Sequence, residues 1–420
     1  MNNYRWMKVD TASIMFSSLS SKKWGRTFRS AIILKDEVNP EILKKAATDV
    51  MPRFPSMHTK IKKGFFWNYQ EGTLLLPEIR QEFTEQLLPI TIRNDGRPDF
   101  RLVYYKNRLA MECAHYLGDG LGTNKYFTAL LERYAELKQN PNAPYNPSPI
   151  DSEELNNAFN DYYQPGGNKD VEKEFKAHRI DGEIEKGFIQ FIYALMDVDE
   201  LHARAKEKGL TITEYLASAL ILGTLRHAER PITDPVIIAI PVNLRRFFPS
   251  ETVRNFTIQS RIDFFPKGRT DWQFDEICNK VKGQLDKRLT VPELQKILNN
   301  FGSLANNKVI KFVPNFIKLP VVRLKQAQSH GNNTTILTNT GKNELSPILE
   351  SEVLRADGVN GDTSGYGLIS TCSALSCNGI FNLCFSTCSH DVSWARECVR
   401  VITEQGIRVR IESSHGNGEK

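Results

Sequence analysis

The clearest pattern along the chain runs from Leu109 to His115, where Leu109, Met111, Cys113 and His115 share one parity. In a strand, that spacing puts three apolar side chains and an imidazole on one face. Tyr104 and Tyr105 lie just upstream across Lys106-Asn107-Arg108, so the stretch reads as the second arm of a hairpin. The alternation stops after His115. Gly118 and Gly120 bracket Asp119 in a tight turn, and Phe127, Leu130, Leu131 and Tyr134 then recur at helical spacing. A histidine leaving a strand into a Gly-Asp-Gly turn is aimed by a rigid element, as acid–base chemistry requires.

Elsewhere the pattern alternates strands and helices in two successive runs. Tyr4 to Ser17 and Phe28 to Leu34 read as strands, separated by the polar run Ser17 to Lys23. Asn39-Pro40-Glu41 opens a helix through Leu43, Ala46 and Val50, with proline at its first position. Phe54, Phe66 and Trp67 read as core aromatics. Pro141, Pro144, Pro147 and Pro149, followed by Pro165-Gly166-Gly167, mark a change of texture. Residues 1–150 are therefore one expected subdomain, 151–185 a crossover linker, and 186–420 the second subdomain. Tyr162-Tyr163 predicts that the linker packs on something.

In the second run, Phe188 to Leu195 is strand-like and Asp199 to Lys208 is helical, stopped by Gly209. Thr211 and Glu214 form a capping box for a helix reaching about His227. Val236 to Ile240 is a continuous apolar run, as in a strand buried on both faces. Phe274, Ile277, Val281 and Leu285 give another amphipathic helix, and Thr334 to Thr338 another strand. Asn378-Gly379 predicts a hairpin between Leu368–Ser376 and Ile380–Ser386. A helix over Val392–Gln405 precedes a last strand, Ile407–Ile411. The expected fold class is α/β, with two similar subdomains that are each a mixed β-sheet flanked by helices.

Composition narrows the function classes. The chain has 420 residues, 40% hydrophobic and 25% charged, with a formal net charge of +6. Its Lys and Arg are scattered rather than gathered in a stripe, which argues against nucleic acid and suits small anionic ligands. No run of about 18 apolar residues occurs, and Met1 to Phe16 has too many polar breaks for a signal peptide or a span. The seven cysteines include no C-x-x-C pair. The cluster Cys372, Cys377, Cys384, Cys388 and Cys398 fits no zinc template. Buried free thiols in a reducing cytoplasm are the expectation, with no metal. Gly341-Lys342 lacks the other residues of a phosphate loop, and the Gly-rich run 357–367 does not place acids at calcium-loop positions. His390-Asp391 after Ser389 does not read as a triad, because neighbours on a strand point apart.

His115-Tyr116-Leu117-Gly118-Asp119-Gly120 matches H-x-x-x-D-G, and here the chain resembles the acyltransferases related to chloramphenicol acetyltransferase and the peptide-synthetase condensation domains. Within that superfamily, Arg53-Phe54-Pro55-Ser56 with Phe66-Trp67, and Thr338-Asn339-Thr340-Gly341, resemble elements of bacterial alcohol-acetyltransferase-like proteins. The resemblance covers nearly the whole chain and implies a channel and active site between the subdomains. It implies that His115 is the general base, that Asp119 and Gly120 are structural, and that Arg245 of Pro241-Val242-Asn243-Leu244-Arg245 pairs with Asp119. It also makes Asn255 of Arg254-Asn255-Phe256-Thr257 a channel residue, and Thr338 and Asn339 channel or oxyanion residues. On physical grounds a buried Asp119 needs a cation, for which Arg245 and Arg254 are both candidates.

The implied reaction is direct acyl transfer, for instance of acetyl, from an acyl-CoA co-substrate to an alcohol or amine, with no permanently bound cofactor. Arg246 and Lys342 are scattered bases available to a phosphate end. The doubled histidine of many relatives is Ala114-His115 here, and the Asp-Phe-Gly-Trp-Gly signature of plant enzymes is absent. Two other expectations stand beside this one: a condensation-type enzyme using carrier-protein thioesters, and a non-catalytic binding or scaffold protein that keeps the fold.

Overall fold

The computed structural model describes residues 6–19, 26–82, 87–90, 95–169, 174–307, 312–328, 331–361 and 367–413. Parts of the polar run (20–23) and of the Gly-rich run (362–366) lie outside them. In chain order the strands are β1 (Trp6–Lys8), β2 (Thr27–Leu34), β3 (Thr59–Lys62), β4 (Tyr69–Gly72), β5 (Glu78–Gln81), β6 (Phe100–Tyr105) and β7 (Arg108–Ala114). They continue with β8 (Gln190–Asp197), β9 (Val236–Asn243), β10 (Thr257–Phe264), β11 (Thr335–Lys342), β12 (Val353–Asn360), β13 (Ser370–Cys377), β14 (Ile380–Thr387) and β15 (Arg410–Ser413).

Two mixed sheets carry the fold. One has the order β12-β2-β7-β6-β5, the other β10-β9-β11-β13-β14-β8-β15, and a small sheet β1-β4-β3 stands apart. Each large sheet packs one face on helices, giving an α/β fold of two similar layers. In the first, Leu109, Met111 and Cys113 of β7 meet Leu43, Ala46 and Val50 of helix Pro40–Val50, and Phe127, Leu130 and Leu131 of helix Gly120–Gln139. In the second, Ile238, Leu337 and Phe385 meet Leu216 and Leu220 of helix Ile212–His227, together with Ile277, Val281 and Val401.

Local signals located most elements. Asn39 caps its helix by accepting from Glu41 N and Ile42 N, and the Thr211/Glu214 capping box is formed. Asn378 and Gly379 both have positive φ, as a two-residue hairpin turn demands. Tyr162 and Tyr163 of the linker pack beside Phe248 and Phe256, with the Tyr162 hydroxyl donating to Pro249 O at 2.5 Å.

Two expectations fail. The stretch from Tyr4 to Ser17 is not one strand: β1 ends at Lys8, and Asp10 starts a helix over Thr11–Leu19. The Asp10 carboxylate accepts from Ser13 N and from Ser13 Oγ, both at 2.7 Å, an N-cap signal that the mixed hydrophobic pattern obscured. Phe66 is not core but exposed, whereas Phe54 is buried. One strand went unread: Val353–Asn360 carries no strand-like alternation, yet β12 pairs with β2 as an edge of the first sheet. Its poor strand formers are held by tertiary partners. Asp357 accepts from Arg355 Nε at 3.0 Å and Asn382 Nδ2 at 2.6 Å, and a Cβ on Gly358 would lie 2.9 Å from Leu375.

Helix–helix approach in the second half makes a test of packing. A Cβ added at Gly223 would sit 2.6 Å from Cys398 Sγ and 2.7 Å from Cys398 Cα, whereas one at Gly283 would meet open space. Gly223→Ala is expected to destabilise by about 1–3 kcal/mol through overpacking. Gly283→Ala should stabilise its helix by about 0.5–1 kcal/mol. Thermal unfolding midpoints shifted in opposite directions would agree; equal shifts would contradict this account of the contact.

Candidate active site

The hairpin β6–β7 delivers His115 to the end of its strand. Its amide donates to Arg26 O at 2.7 Å, the last rung against the β2 side of the sheet. Leu117 N donates to Ala114 O at 2.9 Å and turns the chain at once into the helix Gly120–Gln139. Asp119 is that helix's N-cap: its Oδ1 accepts from Gly122 N at 2.8 Å. The helix therefore begins earlier than its apolar repeat, because the cap rather than the repeat sets its start.

Residues from the second half converge on the other carboxylate oxygen. Asp119 Oδ2 accepts from Arg245 Nη1 at 2.8 Å, Phe256 N at 2.7 Å and Thr257 Oγ1 at 3.0 Å. Arg245 is itself held, donating to Thr252 O at 3.0 Å and Arg254 O at 2.6 Å. This decides the pairing left open by sequence. Arg254 points elsewhere, to Lys8 O at 2.6 Å and Asp10 Oδ2 at 3.6 Å. Burial pulls its guanidinium below the usual arginine range, and Asp10 opposes that.

The imidazole of His115 is half-buried between two rings, Phe16 at 4.3 Å and Phe28 at 5.2 Å between centroids. Nδ1 is buried with no hydrogen-bond partner among the described residues. Burial lowers the pKa from the ordinary histidine value. The His115 main chain pulls it back up, the Arg26 guanidinium adds to the lowering, and Asp119 and Asn255 oppose it. The net direction is down, which favours the neutral ring.

Asn255 is not a channel residue. It is 2% exposed and lies behind the turn, where Nδ2 donates to His115 O and Ser13 Oγ, both at 3.1 Å. Ser13 Oγ in turn donates to Tyr116 O at 2.6 Å. Asn255 and Ser13 thus hold the main chain that carries the imidazole, and Ser13 was invisible while its helix was read as a strand.

Thr338 and Asn339 of β11 are separated by the pleat. The Asn339 amide is engaged on the helix side, donating one N–H to Thr213 Oγ1 at 3.0 Å and accepting from Gly341 N at 2.9 Å. Thr338 is half-buried opposite Ser373. Thr340 is the β11 residue that stands against the motif: a Cβ on Gly120 would be 3.7 Å from its methyl. Gly120 is thus not the tight glycine of the turn. Those are Gly118 and Gly122, whose added Cβ atoms would lie 2.9 and 2.0 Å from Val253 O. His390 instead meets Glu185 at 2.8 Å in an exposed pair.

No family model and no curated protein matches this sequence. Solved structures do match in three dimensions. A trichothecene 15-O-acetyltransferase, TRI3 of Fusarium sporotrichioides, superposes with a TM-score of 0.62 at 13% identity, over 96% of each chain. TRI101 of F. sporotrichioides, complexed with coenzyme A and T-2, gives 0.62 at 11% identity, over 96% of this chain and 99% of that one. The starter condensation domain of rhizomide synthetase, in complex with C8-CoA and Leu-SNAC, gives 0.59 at 10% identity, over 96% and 94%. The chain has the acetyltransferase and condensation-domain fold. At these identities the likeness is one of fold.

The convergence on Asp119 predicts strong coupling. Asp119→Ala should cost about 3 kcal/mol of stability by leaving the half-buried Arg245 without its carboxylate. In a double-mutant cycle, Asp119→Ala with Arg245→Ala should couple by about 1–3 kcal/mol, while Asp119→Ala with Arg254→Ala should be nearly additive. Denaturant unfolding checks both, and the reverse ranking would sink the assignment.

Proposed function

We propose that the chain is an acyltransferase moving an acyl group from a coenzyme A thioester to an alcohol or amine, with His115 as general base. The observation that carries this reading is a half-buried imidazole at a strand end, its main chain held from behind by Asn255 and Ser13 and its pKa pushed down by burial. It stands in a fold whose solved examples include complexes with coenzyme A and C8-CoA. The working halves are 1–150 and 186–420, joined by 151–185, with β12 lent back to the first sheet. The buried thiols suit a reducing cytoplasm.

Nε2 takes the proton of the acceptor hydroxyl or amine as its oxygen or nitrogen attacks the thioester carbonyl. Charge collects on the carbonyl oxygen, where a hydroxyl donor from β11 stabilises it; Thr338 is the candidate, since the Thr340 hydroxyl donates to Ala374 O at 3.4 Å. The carbon–sulfur bond then breaks and the imidazolium returns its proton to the leaving thiolate. Products are the ester or amide and free thiol, with no acyl-enzyme. Asp119 transfers no proton: Arg245, two main-chain amides and a hydroxyl occupy its carboxylate.

The likeness to a condensation domain supports a second donor class, a carrier-protein thioester. The phosphopantetheine arm is common to both donors, so equal use of a bare pantetheine thioester and the coenzyme A thioester would favour the carrier protein. The third reading, a binding or scaffold protein, requires that thiol release be absent for every donor.

His115→Ala is expected to lower thiol release from acyl-CoA by roughly 10²–10⁴-fold with an unchanged unfolding midpoint. In the wild type, a base whose pKa lies below the ordinary value stays neutral to lower pH. The acid limb of kcat/KM should therefore have its midpoint below pH 6.5. A folded and fully active His115→Ala would remove the imidazole from the mechanism, and a limb above pH 6.5 would contradict the burial argument.

A further inference from the structure

The helix Asn315–Gln328 is inverted in character. Ile317, Val321 and Leu324, spaced i, i+4 and i+7, form one stripe, and that stripe is turned to solvent with each residue at least half exposed. Phe316 beside it is 68% exposed and Phe312 just before it is 76% exposed. Across from the helix start, the loop between β3 and β4 adds Phe65, 64% exposed, and Phe66. The rings form a continuous cluster: Phe65–Phe66 centroids are 4.8 Å apart, Phe65–Phe316 6.1 Å and Phe66–Phe312 6.5 Å. The loop is pinned in place. Asn315 N donates to Phe65 O and Asn315 Nδ2 to Gly64 O, both at 2.7 Å.

The rim of this surface is basic. Lys318 Nζ lies 3.3 Å from the centre of the Trp67 ring and donates to Phe66 O, and Lys63 is exposed beside the loop. Glu71 of β4 is paired with Lys60 at 3.3 Å and Lys62 at 3.7 Å. From Phe312 to Gln328 the sequence contains no Asp or Glu.

We propose that this surface docks the protein on an anionic lipid bilayer. A contiguous apolar area of this kind rimmed by charge marks an interaction site. Aromatic rings and an outward aliphatic stripe suit the headgroup–acyl boundary, and lysines beside them suit negatively charged headgroups. A second copy of the chain fits less well, because a two-fold contact would press each basic rim against its own image.

The test needs no turnover, so it is independent of the acyl-transfer reading. The full chain is sedimented with vesicles of phosphatidylcholine and with vesicles of phosphatidylcholine mixed with phosphatidylglycerol. Binding is expected to the anionic vesicles, weaker to the neutral ones, and to decline as salt is raised. Phe65→Ser with Phe316→Ser should weaken binding at least about tenfold, since each removes an exposed apolar ring. Lys63→Glu should weaken binding to anionic vesicles selectively. All three positions are exposed, and unchanged unfolding midpoints would show that the variants fold. Absence of binding to both vesicles, or binding that these variants leave intact, would overturn the proposal. Concentration-dependent dimerisation abolished by the same variants, without vesicle binding, would overturn it in favour of a second copy.

Discussion

A buried carboxylate is stable only while donors surround it, and the arrangement around His115 depends on that constraint at Asp119. Oδ1 closes the N-terminus of the helix Gly120–Gln139, where the helix dipole also favours a negative charge. Oδ2 is satisfied entirely from the second half, by Arg245, Phe256 N and Thr257. Without those partners the ion would cost several kcal/mol to bury. The turn that aims the imidazole is therefore complete only when both halves have folded and met. Gly118 and Gly122 belong to the same constraint. Their missing side chains let the Val253 main chain come close enough for Phe256 N, three residues on, to reach the carboxylate.

The first sheet obeys a second electrostatic rule on its other face. Glu112 of β7 lies directly opposite Arg29 of β2 and Arg101 of β6, and is ion-paired to both. Arg29 also meets Glu82 at 2.6 Å, which Arg108 contacts at 2.5 Å. Burial works against the Arg29 charge, but Glu112 and Glu82 outweigh it and hold the guanidinium above its usual range. Such a network adds little net stability compared with apolar packing. Its consequence is register: a one-residue slip of β7 would bury Glu112 among the apolar side chains of the helix layer and leave both arginines unmatched. His115, at the end of that strand, inherits its position from this pairing.

The sequence made legible what depends on neighbours in the chain. Caps at Asn39 and Thr211, the turn at Asn378-Gly379, the alternation of β7 and the H-x-x-x-D-G run are all local signals. What it hid depends on distant partners. The ends of Glu112 and Arg29 are 83 positions apart, and nothing near β12 announces that Asp357 will find Asn382. Asn255 was named for the right neighbourhood but the wrong task, since composition cannot tell a side chain lining a channel from one tying up a carbonyl behind it. Thr340 escaped notice for a similar reason: only its approach to Gly120 distinguishes it from Thr338.

The conformation of the N-terminal segment decides how the imidazole is held. Ser13, Phe16 and Ser17 occupy positions i, i+3 and i+4, one face of the Thr11–Leu19 helix. Ser13 fixes the carbonyl of Tyr116, Phe16 covers the His115 ring, and Ser17 Oγ accepts from Asn68 Nδ2 at 3.1 Å. In a strand Ser13 and Phe16 would point to opposite sides, and no single segment could hold both the main chain and the ring of the motif. The helix is thus required by the site rather than by its own hydrophobic pattern. The Asp10 cap imposes it, and the Arg254 guanidinium that faces Asp10 comes from the same loop that supplies Asn255. Two acid–base pairs, Asp119 with Arg245 and Asp10 with Arg254, therefore clamp that one loop against the imidazole from two directions.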